Sequence, residues 1–397
     1  MSYYLKAVIS AAPLLKREWS KKERLALQDA VRIAMPKHRA AACLRHRLGA
    51  SAVAVSATRE GNTRLGGLMI CSASHVCPIC HHNKMSQDKA MIAEIVAEHY
   101  AVGGFMVDAV LTVPHAASES LADVLGRLES VWKSLRSKPV WRVLADELGI
   151  VGCVRRLEVT LTANGWHPHY HVSFLCDWGA AKGIKGGTRQ SALADVHALV
   201  AGRWSEAGRR EGITVCLYAQ AAVAIVAAVD AAKAVAYNAK NMGYGDGKNN
   251  SLTPMDLLRI IGQIADPAVT CAAKRLFAEY VTATKGKHAL SFLGIARSAK
   301  AAIAQERMED ESGRDEAELL GTISIEGWDA VVNGRLREAV AQVVTREELA
   351  ALVLCAACIA GYTSLPTGWL SLTPGKKTVI GVKSNPTLVS SLGSEPV

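Results

Sequence analysis

The most chemically suggestive pattern in this sequence is a run of alternating histidines, GWHPHYH, at residues 165–171. On a β-strand, alternate side chains point to the same face of the sheet, so the imidazoles of His167, His169 and His171 would converge. Neutral imidazole is a common ligand of divalent metals. The spacing therefore predicts a metal site on a strand. Pro168 suits a central strand poorly, which leaves open whether His167 belongs to the ligand set.

A carboxylate ligand is available on the segment that precedes these histidines. Residues 151–162 alternate apolar and polar side chains and predict a strand, and Asn164-Gly165 predicts a tight turn into an antiparallel strand at 167–175. Glu158 is the best acid on the first strand, although the sequence does not fix the register between the two strands. Two histidines and one carboxylate would leave coordination positions open for a phosphodiester, whose negative charge must be neutralised during cleavage.

A candidate nucleophile follows in an alanine-rich segment at 220–242 that predicts mostly helix. Tyr237 and Lys240 would face about the same side of this helix. A phenol is a poor nucleophile at its usual pKa near 10, and a bound cation or an adjacent lysine favours the phenolate. Attack by Tyr237 on DNA would give a covalent phosphotyrosine that allows later rejoining without ATP. Tyr218 and Tyr244 are rival tyrosines.

Asp230 lies two helical turns before Tyr237 and would share its face. It is a candidate catalytic acid that could activate water or a second DNA strand. The alternative for Asp230 is a solvated surface carboxylate with no chemical role.

Three cysteines lie close together in the segment CSASHVCPIC at residues 71–80. The C-x2-C pair formed by Cys77 and Cys80 suits tetrahedral zinc, and Cys71 adds a third thiolate. We take His75 as the fourth ligand. Other candidates for that position are His81, His82 and Cys43, and the alternative to zinc is a set of unligated buried cysteines.

The composition is globular, with 50% hydrophobic and 21% charged residues over 397 positions, enough for two or three domains. The formal net charge is +10, which favours nucleic acid or an acidic membrane surface as partner. Residues 1–50 hold 11 Lys and Arg against 3 acids, whereas residues 301–350 hold 5 against 12. We expect the basic end to face DNA. No apolar run reaches transmembrane length and no cleavable signal is evident, so a cytoplasmic protein is expected.

The order of predicted elements divides the chain into three parts. Residues 1–100 form a basic region with the cysteine-rich zinc module, residues 101–298 hold the strands with the histidines, and residues 299–397 form a helical, acidic extension with a flexible tail. The remaining strands predicted within the middle part are at 105–113, 213–219 and 289–293. One predicted helix begins at Ser118, and the others are at 193–211 and 254–284. The predicted fold class is α+β.

Several motifs in order resemble one known group of proteins. These are VLTVPH at residues 110–115, EVT at 158–160 followed by NGWHPHYH at 164–171, and AYNAK at 236–240. The cysteine segment at 71–80 and the segments LTPMDLL at 252–258 and FAEYVTATKG at 277–286 are also similar. On these motifs the chain resembles bacterial plasmid replication initiators of the rolling-circle type, within the HUH endonuclease superfamily, and the match covers roughly residues 40–295.

The resemblance implies a central antiparallel sheet flanked by helices, with the histidines on a middle strand. It implies origin-specific nicking of one DNA strand, with His169 and His171 holding Mg²⁺ or Mn²⁺ and Tyr237 keeping the new 5′ phosphate. The expected partners are plasmid origin DNA, single-stranded DNA and a host helicase, because a nick alone does not unwind a plasmid. No membrane partner is expected.

The chain departs from this group at two positions near the tyrosine. Some relatives carry a glutamate four residues before the tyrosine, used to end the replication cycle by hydrolysis, and this chain has Lys233 there. Asn241 stands where an aromatic residue is expected. Two alternatives stay open: a relaxase or transposase of the same superfamily, or a non-catalytic DNA-binding regulator with an inactive endonuclease fold.

Overall fold

A computed structural model of the chain describes residues 2–15, 19–49, 52–59, 61–181, 196–240, 251–309 and 317–372. Within these ranges, the side chains of residues 2–4, 138, 235–240 and 306–309 lie outside the description. By their contacts the residues form two compact units, Met1–Cys43 with Ile70–Arg307, and Leu44–Met69 with Met308–Val397. The predicted division into residues 1–100, 101–298 and 299–397 stays a prediction.

The elements of the first unit form a five-stranded antiparallel sheet with helices. Its strands are β3 (Phe105–Thr112), β4 (Ile150–Thr162), β5 (Gly165–Cys176), β6 (Ala221–Ile225) and β7 (Leu290–Gly294). Its helices are α1 (Ser2–Ser10), α2 (Lys21–Ala34), α3 (Pro78–Ala101), α4 (Leu121–Leu135), α5 (Lys138–Leu148), α6 (Val196–Arg210), α7 (Ala228–Lys240), α8 (Pro254–Gln263), α9 (Pro267–Ala283) and α10 (Ile295–Glu309). The strand order is β6-β3-β5-β4-β7, which places β5 in the middle of the sheet.

One face of this sheet packs on the main apolar core. Alternate residues of β3 and β5, such as Leu111 and Val172, point to this face and are fully buried. They pack against Leu128 and Trp132 of α4 and Trp204 of α6. Burial of this face fixes the register, because a shift by one residue would turn the apolar side chains outward.

The opposite face has a smaller apolar cluster near one end of the strands. Met106 of β3, Val154 of β4 and Leu175 of β5 contact residues of α3, α7 and α10 there, among them Ile92 and Ala231. Residues further along the same face of β4 and β5 are polar. The sheet is therefore covered by apolar packing on one face, and only in part on the other.

The second unit holds a four-stranded antiparallel sheet of order β2-β1-β8-β9, with helices. Its strands are β1 (Val53–Thr58), β2 (Thr63–Gly66), β8 (Ala317–Ile323) and β9 (Leu370–Leu372), and its helices are α11 (Ile325–Asn333), α12 (Arg337–Val340) and α13 (Arg346–Ile359). Val55, Ile323, Trp328 and Val353 belong to its core. None of the described helices is long and apolar enough to cross a membrane.

The predicted α+β class is confirmed, but two local predictions are wrong. The extension after residue 299 is not simply helical, because β8 pairs with β1 across a long stretch of sequence. The strand predicted at 213–219 lies instead at Ala221–Ile225, preceded by a 3₁₀ turn at Leu217–Ala219. Alanine favours helix locally, yet pairing with Met106–Val110 of β3 outweighs that preference in β6.

Candidate metal centre and cysteine cluster

The β4–β5 ladder brings the predicted carboxylate and histidines onto one face of the sheet. Glu158 is paired with His169, Arg156 with His171 and Thr160 with His167. Paired residues of an antiparallel ladder point to the same side, and so do the alternate residues along each strand. This is the face opposite the main core.

Glu158, His169 and His171 form a compact group of possible metal ligands. The Nε2 atom of His171 lies 2.8 Å from Oε2 of Glu158, and Nε2 of His169 lies 3.4 Å from the same oxygen. One ligand atom from each of the three residues falls within 4.8 Å of the others. A single divalent ion could therefore contact all three.

The protonation of this group suits metal binding. Burial raises the pKa of Glu158, but hydrogen bonds from His169 and His171 outweigh it and hold the pKa of that carboxyl well below its usual range. Burial lowers the pKa of His171, and the hydrogen bond to Glu158 opposes this effect. At neutral pH the carboxylate is ionised and the His171 imidazole is neutral, which are the ligating forms.

The donor types fit a divalent ion that accepts both nitrogen and oxygen ligands. Carboxylates suit Mg²⁺ and Mn²⁺, whereas imidazole suits transition metals. Mg²⁺ usually takes oxygen ligands from one or two carboxylates, phosphates and water. Of the two expected ions, Mn²⁺ therefore fits two imidazoles and one carboxylate better.

His167 does not join this group, contrary to its place among the predicted ligands. Its Nδ1 atom lies 2.9 Å from Nε2 of His115, and Nδ1 of His115 lies 3.1 Å from the backbone oxygen of Asn164. Burial lowers the pKa of His167 to about 4, with further lowering from His169 and His115. His167 is therefore a neutral partner of His115 at the end of the hairpin.

Arg156 is a neighbour of the site that no sequence motif singles out. Its side chain is buried on the same face, and its Nη2 atom lies 3.9 Å from Oε2 of Glu158. Further along this face, Ser173 donates a hydrogen bond of 2.8 Å to Asp108. The motif EVT at 158–160 singles out Glu158 alone. The alternation of side chains along a strand is the one signal that would place Arg156 on the same face as Glu158.

Helix α7 carries the predicted nucleophile, and its backbone packs on the site-bearing face of the sheet. Ala231 is fully buried in the cluster with Met106, Val154 and Leu175. The side chains of Tyr237 and Lys240 lie outside the described residues, so their predicted roles stay predictions.

Asp230, predicted on the same helix, is exposed. Its Oδ1 atom lies 3.0 Å from Nζ of Lys233, in a salt bridge on the helix surface. The rival tyrosine Tyr218 is 94% exposed in the 3₁₀ turn before β6. The other rival, Tyr244, lies outside the described residues.

The cysteine cluster contains four thiols rather than three thiols and a histidine. Cys43, Cys71, Cys77 and Cys80 are all buried, and their sulfur atoms lie within 4.8 Å of one another. Two of these separations are 3.5 Å for Cys71 and Cys80 and 3.7 Å for Cys43 and Cys80. This buried cluster could hold a structural zinc ion, which takes four thiolates in a closed tetrahedral site.

His75 is therefore not the fourth member of the cluster, and Cys43 takes that place. The Nε2 atom of His75 lies 3.1 Å from the backbone oxygen of Lys287 instead. Hydrogen bonds among the four thiols lower the pKa of Cys80 and raise that of Cys77, so thiolate character is shared unequally within the cluster. Cys43 ends the 3₁₀ turn Arg39–Ala42, at the point where the chain leaves the first unit.

Two curated proteins are similar to part of this chain. "Protein rep" of Streptomyces lividans is 29% identical over 153 residues, covering 32% of this chain and 34% of that protein. "Neomycin resistance protein" of Streptomyces cyanogenus is 23% identical over 171 residues, covering 37% of this chain and 39% of that protein. The chain thus matches well under half the length of these relatives. No family model and no solved structure matches it.

Proposed function

We propose that this chain is a plasmid replication initiator of the rolling-circle type, with an HUH endonuclease fold, that nicks one DNA strand through Tyr237. The observation that carries the proposal is the group formed by Glu158, His169 and His171 on the middle strands of an antiparallel sheet. The similarity of part of the chain to a protein named "Protein rep" supports a role in plasmid replication.

In the proposed reaction, a divalent ion at Glu158, His169 and His171 would neutralise the non-bridging oxygens of the scissile phosphate. The phenolic oxygen of Tyr237 forms a bond to phosphorus, and the bond from phosphorus to the 3′ oxygen breaks. The Tyr237 phenol loses its proton, which the charge of Lys240 favours, and the leaving 3′ oxygen gains one, so no net proton is released. The products are a 5′-phosphotyrosyl chain and a free 3′-OH that primes synthesis.

Strand transfer reverses this step. A 3′-OH attacks the phosphotyrosine, a new phosphodiester forms, and the Tyr237 phenol is released. We assign the activation of the water or 3′-OH that resolves the intermediate to Asp230, which lies on the same helix as Tyr237 and would exchange its salt bridge with Lys233 for that contact. The partners proposed are plasmid origin DNA, exposed as a single strand, and a host helicase that unwinds it.

Covalent adduct formation tests the proposal. The protein is incubated with Mn²⁺ and single-stranded oligonucleotides that tile a candidate origin, each labelled at the 3′ end so that the label stays on the tyrosine-linked fragment. On denaturing gels, we expect a labelled protein band for the wild type that EDTA abolishes and that Tyr237→Phe lacks.

The matched control is Tyr218→Phe, which removes a phenol from the exposed rival tyrosine and should keep the adduct. An adduct that survives Tyr237→Phe would overturn the nucleophile assignment. Tight binding of origin strands without any adduct would favour the non-catalytic regulator instead.

A further inference from the structure

A cavity of about 390 Å³ opens beside Glu158, on the β7 side of the candidate metal centre. Its walls come from the loop of the cysteine cluster, α3, β4, α8, α9, β7, α10 and the loop that precedes β7. Pockets for small ligands have volumes of roughly 300–1,000 Å³, so this cavity is large enough for a ligand of moderate size. Because Glu158 also belongs to the metal group, an occupant of the cavity would lie next to anything bound there.

Lysine and arginine side chains outnumber the carboxylates of Asp88 and Glu158 along the wall of the cavity. Lys300 of α10 is exposed, and its Nζ atom lies 4.9 Å from the centre of the Phe292 ring. Among the described residues, no carboxylate forms a salt bridge with Lys300. Lys84 and Lys287 also line the cavity, where Lys84 pairs with Asp88 and Lys287 with Glu129. The ammonium group of Lys300 is thus placed to meet an anionic ligand.

The remaining wall is apolar and partly aromatic. Met85 and Leu290 line it together with Phe292 and Tyr280, each of which is 7% exposed and presents only a small part of its ring. Proteins that hold single-stranded nucleic acid without reading its sequence combine such contacts to the bases with positive charge along the backbone. An apolar wall beside a lysine suits a ligand that joins a flat apolar ring to a negative charge.

We propose that this cavity binds one nucleotide of single-stranded DNA, adjacent to the phosphate held at the metal centre. The base would contact the apolar wall near Phe292, and the phosphate of the same nucleotide would meet Lys300. This inference rests on the proposed function for its choice of DNA as the ligand. It assigns to Lys300 and Phe292 a role in placing the strand across Glu158.

The loop of the cysteine cluster also contributes to the cavity. Ser74 and His75 line it, and both lie between Cys71 and Cys77. The hydrogen bond between His75 and the backbone of Lys287 connects this loop to the opposite wall. The cysteine cluster therefore supports one side of the proposed nucleotide site.

Salt-dependent binding of a fluorescein-labelled oligothymidylate tests the role of Lys300. The measurement uses full-length Tyr237→Phe protein, so that binding needs no covalent chemistry. Adding Lys300→Met should weaken binding several-fold and reduce the slope of log affinity against log salt by about 0.7, the value for one phosphate contact to a single strand. Lys300→Arg should restore the slope. Lys133→Met, a control on the exposed face of α4 across the sheet, should keep it.

Photocrosslinking tests the base position. Oligonucleotides with one 5-iodouracil at successive positions are irradiated with the same protein, and the crosslinked peptides are mapped. We expect one position to crosslink to the peptide that contains Phe292 or Tyr280. A slope unchanged by Lys300→Met, or crosslinks that map only outside the cavity, would overturn the proposal.

The proposed nucleotide site and the proposed nicking activity can fail separately. If the wild type forms the Tyr237 adduct but the Tyr237→Phe protein fails both binding tests, the proposed function stands and the nucleotide site is wrong. If the binding tests succeed but the wild type never forms an adduct, the nucleotide site stands and the nicking activity is wrong.

Discussion

Glu158 and His169 are directly opposite each other in the β4–β5 ladder. This pairing places the carboxylate within 3.4 Å of one imidazole, and it leaves the next histidine on the strand, His171, 2.8 Å from the same oxygen. A slip by one residue would turn either the carboxylate or the histidines toward the apolar core. The geometry of the candidate metal centre therefore depends on the turn that fixes this register.

The first prediction separates the histidines by their place on the strand. His169→Asn should weaken Mn²⁺ binding by roughly 100-fold or more, because even loss of a residue that only supports a metal ligand costs about 10- to 100-fold. His167→Asn, a matched change two residues earlier, should keep the affinity within a few-fold, because His167 contacts His115 instead. Isothermal titration of the full-length protein with Mn²⁺ measures both.

An equal loss of Mn²⁺ affinity in the two histidine variants would return His167 to the ligand set. Titration with Mg²⁺ serves as a comparison in the same experiment. We expect weaker binding of Mg²⁺ than of Mn²⁺ to the wild type, because two of the three donors are imidazoles.

The second prediction concerns the fourth zinc position. Cys43→Ser should reduce zinc content from about one ion per chain toward zero and lower thermal stability, because a structural zinc site needs its complete ligand set. His75→Asn should retain the zinc. Cys216→Ser removes an exposed thiol outside the cluster and controls for the loss of a cysteine.

Elemental analysis of the purified variants gives the zinc content. Loss of zinc from His75→Asn with retention in Cys43→Ser would reverse the assignment of the fourth ligand.

The sequence was sufficient for the hairpin because its signals are local. The histidine alternation, the apolar alternation of 151–162 and the Asn-Gly turn all lie within one short segment. Each reports a strand or a turn without knowledge of distant partners. The pairing of Glu158 with His169 needed the structure, since the alternation fixes the face of each strand and not the register between strands.

Other features depend on residues that are far apart in the sequence. Cys43 joins the cluster only because the chain returns to it at Cys71, and cysteine spacing within 71–80 carries no signal for it. In the same way, β8 forms by pairing with β1, which is far away in the sequence. The sequence after residue 299 by itself predicts a helical extension. Long-range pairing is not encoded in a local pattern, so the second sheet cannot be predicted from the sequence alone.

The third prediction tests the turn that sets the β4–β5 register. Gly165 has φ +90°, and a Cβ added there would lie 2.9 Å from Cα of Ala117. Gly165→Ala should lower the free energy of unfolding by about 1–3 kcal/mol or more and weaken Mn²⁺ binding, because the strained turn would shift the histidine strand.

The control for this turn is Gly126→Ala, at an exposed position of α4 where an added Cβ would have no neighbour within 4 Å. It should raise stability by up to about 1 kcal/mol, since alanine favours helix. Urea denaturation and Mn²⁺ titration measure the two effects. A Gly165→Ala protein as stable as Gly126→Ala would show that the turn tolerates a side chain.

The fourth prediction concerns acid stability through His82. Burial lowers the pKa of His82 to about 4, with further lowering from the charges of Arg24 and His81. The ordinary pKa of histidine in an unfolded chain is about 6.5. Between these values the unfolded chain binds the proton more readily, so the free energy of unfolding should fall as pH drops from about 6.5 to about 4.

Protonation of His82 also removes a hydrogen bond, because the indole N–H of Trp19 donates to its Nδ1 atom over 3.2 Å. His82→Gln stays neutral throughout this range and offers an amide oxygen to Trp19. The variant should therefore lose less stability than the wild type between about pH 7 and about pH 4 in urea denaturation. His38, His75, His167 and His171 have pKa values lowered in the same direction and act in both proteins, so the informative quantity is the difference between them. Equal losses of stability in the two proteins would mean that His82 has the ordinary pKa of histidine in the folded chain.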